Sequence, residues 1–430
     1  RSGLRRSTAL TDVATVTRAT TAWGVDQGGN VASFAAGQPV VNTAGLAVYE
    51  ARTNSLRNPT PQGAVTGVLG SGGSLPTNWA HAGGSTAGLT PSVVATGTEY
   101  GMAYVDLRYV GTASAASFAL AFEQSNAISA SAAQVWTAQA MARLSGGSLA
   151  NVISYYLQVD GVGGSAGNNA GGAVVPSTTP AKLSATHTLG AGATNVRPSL
   201  VFALTNGGAV DFTVRIYYGN IKQGADIGDP PILQTNNAAA TRNADVIVEP
   251  VNIPVGQDFT VTATFVMPTN DATYPNVWFL AGESTNTNRI ILYASAGGVG
   301  LSLNYRAGGV GSDGTTPISA ALGKPVKAVL TYSNGVIRWS ANGSAVQTVN
   351  PGAFSGAFTR LFIGSNSSGN QQLNSTILDL SITMRAYSDA ELRASSDITL
   401  THDIDFVSQV YQYVGAPYVT PTDLPMTTFS

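Results

Sequence analysis

Asp211-Phe-Thr-Val-Arg-Ile-Tyr217 decides the fold. Phe212, Val214 and Ile216 fall on one side of an extended chain, and Asp211, Thr213 and Arg215 on the other. A period of two places one face of a strand in a core and the other in water. The pattern returns at Phe259-Thr-Val-Thr-Ala-Thr-Phe265, where Phe259, Val261, Ala263 and Phe265 alternate with threonines. Further strands are expected at 104–109, 117–123, 135–144, 152–159, 182–189 and 199–203. Two Asn-Gly pairs, Asn334-Gly335 and Asn342-Gly343, each sit beside an alternating run and supply the two positive-φ positions of a type I′ hairpin turn. The run GVGGSAGNNAGG at 161–172 is expected to form a flexible loop. A short helix is expected from Ser388, which makes a capping box with Glu391.

These signals describe an all-β chain of two antiparallel β-sandwich domains, 59–236 and 237–395. Residues 1–58 are expected to form an extended N-terminal arm with short strands packed on a neighbour, and residues 396–430 a C-terminal tail. The length of 430 residues exceeds what one ordinary core supports. With no cysteine, neither disulfides nor thiolate metal sites are available. Charged residues make up 10% and the net charge is −2, which gives no basis for a nucleic-acid partner. No apolar run is long enough for membrane insertion by a helix. Starting at Arg1 and not at Met, the chain is expected to be processed or a fragment.

Motifs that carry chemistry elsewhere lack their context here. Gly163-Gly-Ser165-Ala-Gly167 fits G-x-S-x-G, but a Gly/Asn loop follows where a nucleophile elbow needs a helix. Gly309-Val-Gly311-Ser-Asp-Gly314 fits the dinucleotide fingerprint but lies between strands. His81, His187 and His402 are far apart. The pattern nearest the acid run of a concanavalin-like glycosidase, Asp403-Ile-Asp405, lies in the tail and has no third acid, whereas such an enzyme needs two carboxylates across a cleft. No catalytic residue is assigned and no cofactor is expected. A structural calcium ion near Asp160, Asp211, Asp271 or Asp313 is the one metal left open.

Aromatic side chains are the remaining functional handle. Sugar C–H faces lie on rings while neighbouring polar groups bond the hydroxyls. The candidates are Trp79, Tyr100, Trp136, Tyr155 and Tyr156 in the first sandwich and Trp278, Tyr293 and Tyr305 in the second. Of the adjacent Tyr155 and Tyr156, one must face outward. Trp339 fits the core equally well.

Three segments, in order, resemble a recurrent kind of phage and prophage virion protein. Gly45-Leu-Ala-Val-Tyr-Glu-Ala-Arg-Thr-Asn54 is similar to its "GLLIEEARTN" linker, with Ala47 and Tyr49 replacing bulkier aliphatics. Asn58-Pro-Thr-Pro-Gln-Gly-Ala-Val-Thr-Gly67 and Leu75-Pro-Thr-Asn-Trp79 resemble the opening of a carbohydrate-binding-module-like jelly roll. Ala240-Thr-Arg-Asn-Ala-Asp245 resembles the passage from that module into a concanavalin- or laminin-G-like sandwich, and Tyr387-Ser-Asp-Ala-Glu-Leu392 its usual exit. The tail has no counterpart.

The resemblance implies a fibre, spike or decoration protein on a phage-like particle, in its tail or head, at the virion surface. Such a protein would be a homo-oligomer, a trimer by preference. It would bind other virion proteins through its N-terminal arm and host polysaccharide through its sandwiches. The rival readings are a polysaccharide-degrading enzyme with sandwich modules and a bacterial surface adhesin.

Overall fold

A computed structural model describes residues 14–398, apart from 29, 43, 227, 234–236, 269–273, 284–286, 296–299 and 313. The chain forms two compact units. One comprises Arg18–Thr43 and Tyr49–Ala244; the other takes Asp245 onward together with Ala44–Val48 and the residues up to Thr17. Both are built from antiparallel sheets, so the chain is all-β.

In the first sandwich one sheet runs Ala181–Thr188, Val135–Ser148, Ala209–Gln223, Met102–Thr112, Thr90–Glu99, Gly67–Leu69 and Gly72–Gly73. The other runs Asn168–Ala170, Val152–Val162, Asn195–Leu204, Ser117–Ala121 and Ala80–His81, with Ile128–Ser129 also paired to Asn195–Leu204. Phe212, Val214 and Ile216 are buried, as their alternation requires. Rings fasten the sheets together: Tyr109 and Phe212 come from one, Phe118 and Phe202 from the other. Tyr109 lies 4.6 Å from Phe118 and Phe202 lies 5.5 Å from Phe212, centroid to centroid. Within 161–172, read as a loop, Asn168–Ala170 pairs as an edge strand with residues 158–160. An edge strand needs ladder bonds on one side only, which this polar stretch can make.

In the second sandwich one sheet runs Thr15–Thr17, Val246–Ile253, Phe358–Ile363, Asn276–Ala281, Arg289–Ala294, Leu301–Ala307 and Val310–Ser312. The facing sheet runs Gln347–Val349, Val336–Ala341, Pro325–Ser333, Phe259–Val266, Ser375–Thr383 and Gly45–Val48. Phe259, Tyr332, Phe354 and Phe358 form its ring cluster, with Phe354 and Phe358 at 4.8 Å. Asn334 (φ 50°) and Gly335 (φ 80°) make the left-handed turn their sequence dictates. Ser388 caps the helix Asp389–Ser396 with the full reciprocal box to Glu391.

The segment read as an arm is divided between the two units. Thr15–Thr17 and Gly45–Val48 cover strand edges at Val246–Ile253 and Ser375–Thr383 that would otherwise present unpaired backbone groups. Arg52–Asn54 pairs in turn with Ala240–Arg242. Two of the recognised segments thus clasp each other where the chain passes into and out of the first sandwich. The Asn54 amide lies inside, donating to Ile232 O (2.8 Å) and accepting from Ile221 N (3.0 Å).

Gly45 has φ 143°, and a Cβ there would stand 2.2 Å from Ile377 O. Gly45→Ala is therefore expected to destabilise the second sandwich by about 2 kcal/mol. A urea or thermal melt that resolves the two units checks this; an unchanged second-sandwich midpoint would refute the close approach. His81 meets Tyr109 Oη at 3.1 Å, and burial lowers the pKa of its imidazole from 6.5 to about 4. The unfolded chain then takes up the proton first, so stability falls as pH drops from 6.5 toward 4, by about 3 kcal/mol in all. His81→Gln is expected to flatten that part of the stability–pH curve, measured by urea titration.

Candidate functional site

Five of the eight candidate rings are buried, four of them within the two main cores. Trp79 stands edge-on to Phe122 at 4.7 Å, and its Nε1 donates to Asn58 O. Trp136 is buried on the side of its strand shared with Ala138 and Ala140. Tyr155 is fully buried and donates to Ala142 O, and burial raises its hydroxyl pKa to about 12. Trp278 is 1% exposed. Trp136, Tyr155 and Trp278 occupy inward positions of strands and Trp79 the turn before Ala80–His81, and in each place the large apolar surface stabilises the core most. Tyr156 takes the outward place beside Tyr155 and is half-buried. Tyr305 is half-buried with its ring against the second core. Trp339 is fully buried.

Tyr100 remains open, 45% exposed. It occupies the turn between Thr90–Glu99 and Met102–Thr112 with φ 52°, and Gly101 follows at 74°. Asn or Gly is usual at such a position, and a tyrosine held there is strained. Its ring lies 6.2 Å from Tyr217. Beneath both, on the outer face of the sheet, is a polar cluster. Glu99 accepts from Tyr217 Oη, from Arg143 Nη2 (3.2 Å) and from Arg215 Nη1 (3.0 Å). Arg215 also makes a two-pronged pair with Asp106, both contacts 2.8 Å, and its guanidinium stacks 3.5 Å above Tyr104. Burial pushes the Glu99 carboxyl up, but the bonds from Tyr217, Arg215 and Arg143 outweigh it and hold the pKa below the usual value. Burial and then the bond to Glu99 raise the Tyr217 pKa to about 12. A hairpin of Ala22–Val25 and Val31–Phe34 packs alongside: Val31 N donates to Tyr100 O, and Trp23 and Val31 join Met102, Tyr217, Tyr218 and Leu233. Two arginines and two carboxylates balance, so this surface offers a ring and hydrogen-bonding groups without net charge.

The second sandwich repeats the device. Tyr274 is 47% exposed with φ 58°, and meets Tyr293 edge-on at 5.9 Å. Tyr293 is 8% exposed, in an apolar cluster with Phe279, Ile291 and Phe362 that lies apart from the main core. The candidate set omits Tyr274, Tyr104 and Tyr217. Tyr274 lies in the irregular stretch before Asn276–Ala281, where no alternation marks it; Tyr217 ends the stretch that decides the fold.

A recess of about 600 Å³ adjoins the clasp, lined by Glu50, Arg52, Thr53, Gln223 and Thr241, with Trp136 at its wall. Arg52 is spent there on Glu50 (2.7 Å) and Gln223 O (2.6 Å).

Ser165 lies in a turn that leads into Asn168–Ala170, without the helix an elbow requires. His187 Nε2 lies 3.0 Å from Ala166 O. Asp160 accepts from Arg197 and Ser199, and Asp211 pairs with Arg108. Asp271, Asp313, His402, Asp403 and Asp405 lie outside the described residues. Among the described residues, no three His, Asp or Glu side chains converge as a metal site.

Residues 239–393 match the Laminin_G_3 family model, described as the concanavalin A-like lectin/glucanases superfamily. No curated protein matches the chain. Among solved structures, the heptameric SAP-like pentraxin from Limulus polyphemus is similar at 17% identity, over 34% of this chain and 72% of that one, with a TM-score of 0.28. The CBM40 of the Ruminococcus gnavus IT-sialidase is similar at 13% identity, over 34% and 96%, with a TM-score of 0.26. Domains LG4-5 of the mouse laminin alpha1 chain are similar at 11% identity, over 60% and 86%, with a TM-score of 0.24. The fold assignment itself rests on the strand pairing and on the family match, which make the second sandwich a concanavalin-like domain.

Proposed function

We propose that this chain is a non-enzymatic, glycan-binding component of the surface of a phage-like particle. The observation that carries the binding reading is the pair of exposed, backbone-strained tyrosines, Tyr100 and Tyr274, each backed by a second tyrosine. Strain of about 1–3 kcal/mol persists where the surrounding structure enforces it, typically at ligand contacts. The lectin/glucanase match over 239–393 supports the same ligand class. The particle location rests on the ordered resemblance of the linker, module-opening and module-closing segments. Their contact across Arg52–Asn54 and Ala240–Arg242 supports reading them as one architectural unit. Attachment to other virion proteins through the N-terminus, and assembly as a trimer, belong to this reading.

The non-enzymatic reading is supported by what the acids do. Glu99 receives hydrogen bonds from Tyr217, Arg215 and Arg143 that hold its carboxyl below the usual range, whereas a glycosidase acid must hold its proton. Glu123 and Asp160 are likewise engaged by arginines.

Immobilised host capsular polysaccharide should retain the protein without being shortened. Tyr100→Ala and Tyr274→Ala should each weaken retention about tenfold, the loss of one stacked ring, with unchanged melting. Shortened chains would overturn the non-enzymatic reading; full retention by the double variant would overturn the tyrosine surfaces.

A further inference from the structure

Lys222 is 2% exposed, the most deeply buried amine among the described residues. It sits near the end of Ala209–Gln223, with its Nζ 2.6 Å from Asp229 Oδ2 and 3.0 Å from Gln139 Oε1. Asp229 is itself 6% exposed. A second carboxylate adjoins them: Asp226 accepts from Ser184 Oγ and Gly228 N, and Gln139 Nε2 reaches toward its Oδ1 at 3.5 Å.

We propose that Lys222 and Asp229 are the two halves of a self-forming amide cross-link, with Asp226 as the proton relay. As an ion pair the site is poorly satisfied. A lysine ammonium has three N–H donors, and among the described residues it finds two acceptors here, Asp229 and Gln139. Removing two charges from water costs several kcal/mol per ion, which one contact recovers only with full hydrogen bonding. An amide nitrogen keeps a single N–H, and Gln139 Oε1 already stands in place to accept it.

The chemistry balances without an outside reagent. A proton passes from the ammonium to the carboxylate, leaving a neutral amine and a carboxylic acid. The Nζ lone pair attacks Cγ of Asp229, forming the C–N bond. Nζ gives up one further proton, by way of Asp226, and the C–O bond breaks as that oxygen leaves as water. Three features of the site favour this course. With Nζ at contact distance from Oδ2, Cγ lies one bond beyond, close to the near-attack separation of about 3–3.5 Å, at which effective molarities become very large. Burial pushes the amine's pKa down, with Asp229 pulling it partly back, so the nucleophilic form becomes accessible. Pro230 follows Asp229, so this aspartate has no following N–H through which to cyclise on its own backbone instead. The product would tie the end of the strand to the segment after it in a chain that has no cysteine for the purpose.

The test is the intact mass of the purified full-length chain after denaturation, with a tryptic map. The proposal expects a mass one water below the sum of the sequence, and residues 216–242 recovered as one peptide uncut after Lys222. Full mass, with cleavage after Lys222, would overturn it and leave a plain ion pair. A lost water with cleavage after Lys222 intact would also overturn it, since the dehydration would then lie elsewhere. Lys222→Met should restore full mass. Asp229→Asn should reach the same cross-linked mass as the parent, by losing ammonia in place of water. Asp226→Asn should slow the mass change after refolding; an unchanged rate would remove Asp226 from the scheme. The parent measurement decides the cross-link even if a variant fails to fold.

Discussion

Ring packing between facing sheets is the interaction on which the rest of this protein depends. Without cysteine and with few charges, each sandwich holds together through what its two inner faces bury against each other. Tyr109, Phe118, Phe202 and Phe212 do this in the first sandwich, and Phe259, Tyr332, Phe354 and Phe358 in the second. The demand on large apolar side chains is high, and it explains where the tryptophans went. Trp79, Trp136, Trp278 and Trp339 all serve the interior. The proposed binding surfaces fall at turn tips, outer faces and loops, where tyrosine tolerates water through its hydroxyl.

Four charged residues of the first sandwich are gathered for a related reason. Glu99, Asp106, Arg143 and Arg215 come from four adjacent strands and cross-link the outer face of one sheet. Scattered singly at the surface, such pairs would contribute little. Gathered with Tyr217 and partly shielded, they form a network whose members restrict one another. The result is a stiff floor directly under the Tyr100 turn. A strained turn needs such a floor, because a pliable sheet would let the tyrosine relax out of its left-handed conformation.

Alternation made the strands legible in the sequence, and the two Asn-Gly turns and the Ser388 cap were legible from local chemistry alone. Each depends on residues within a few positions of one another. The role of Thr15–Thr17 and Gly45–Val48 was not legible, since their partners lie far along the chain and the segments are too short to carry a pattern of their own. The proposed binding surfaces were legible only in part. Period two says that Tyr155 and Tyr156 point oppositely, but not which side is the core until the facing sheet is known. Tyr100 was recognisable as aromatic but not as strained, because that requires seeing Tyr100-Gly101 as a two-residue turn between long strands. The pairing of Lys222 with Asp229 likewise emerges only when the segment after the strand is seen to return to it.

The clasp between Arg52–Asn54 and Ala240–Arg242 resolves a difficulty the topology would otherwise pose. Strand Gly45–Val48 must find Ser375–Thr383 across the whole of the first sandwich, and joining such distant segments carries an entropic cost that grows with the intervening loop. Once the first sandwich has folded, its two ends lie side by side, and the effective loop shrinks to the span of a short antiparallel ladder. Asn54 holds that geometry from inside, bonding to Ile221 and Ile232 of the same unit. An Arg-Thr-Asn segment before a sandwich and an Ala-Thr-Arg segment after it are therefore two halves of one device. It lets Tyr49–Ala244, the larger part of one unit, be carried between two strands of the other.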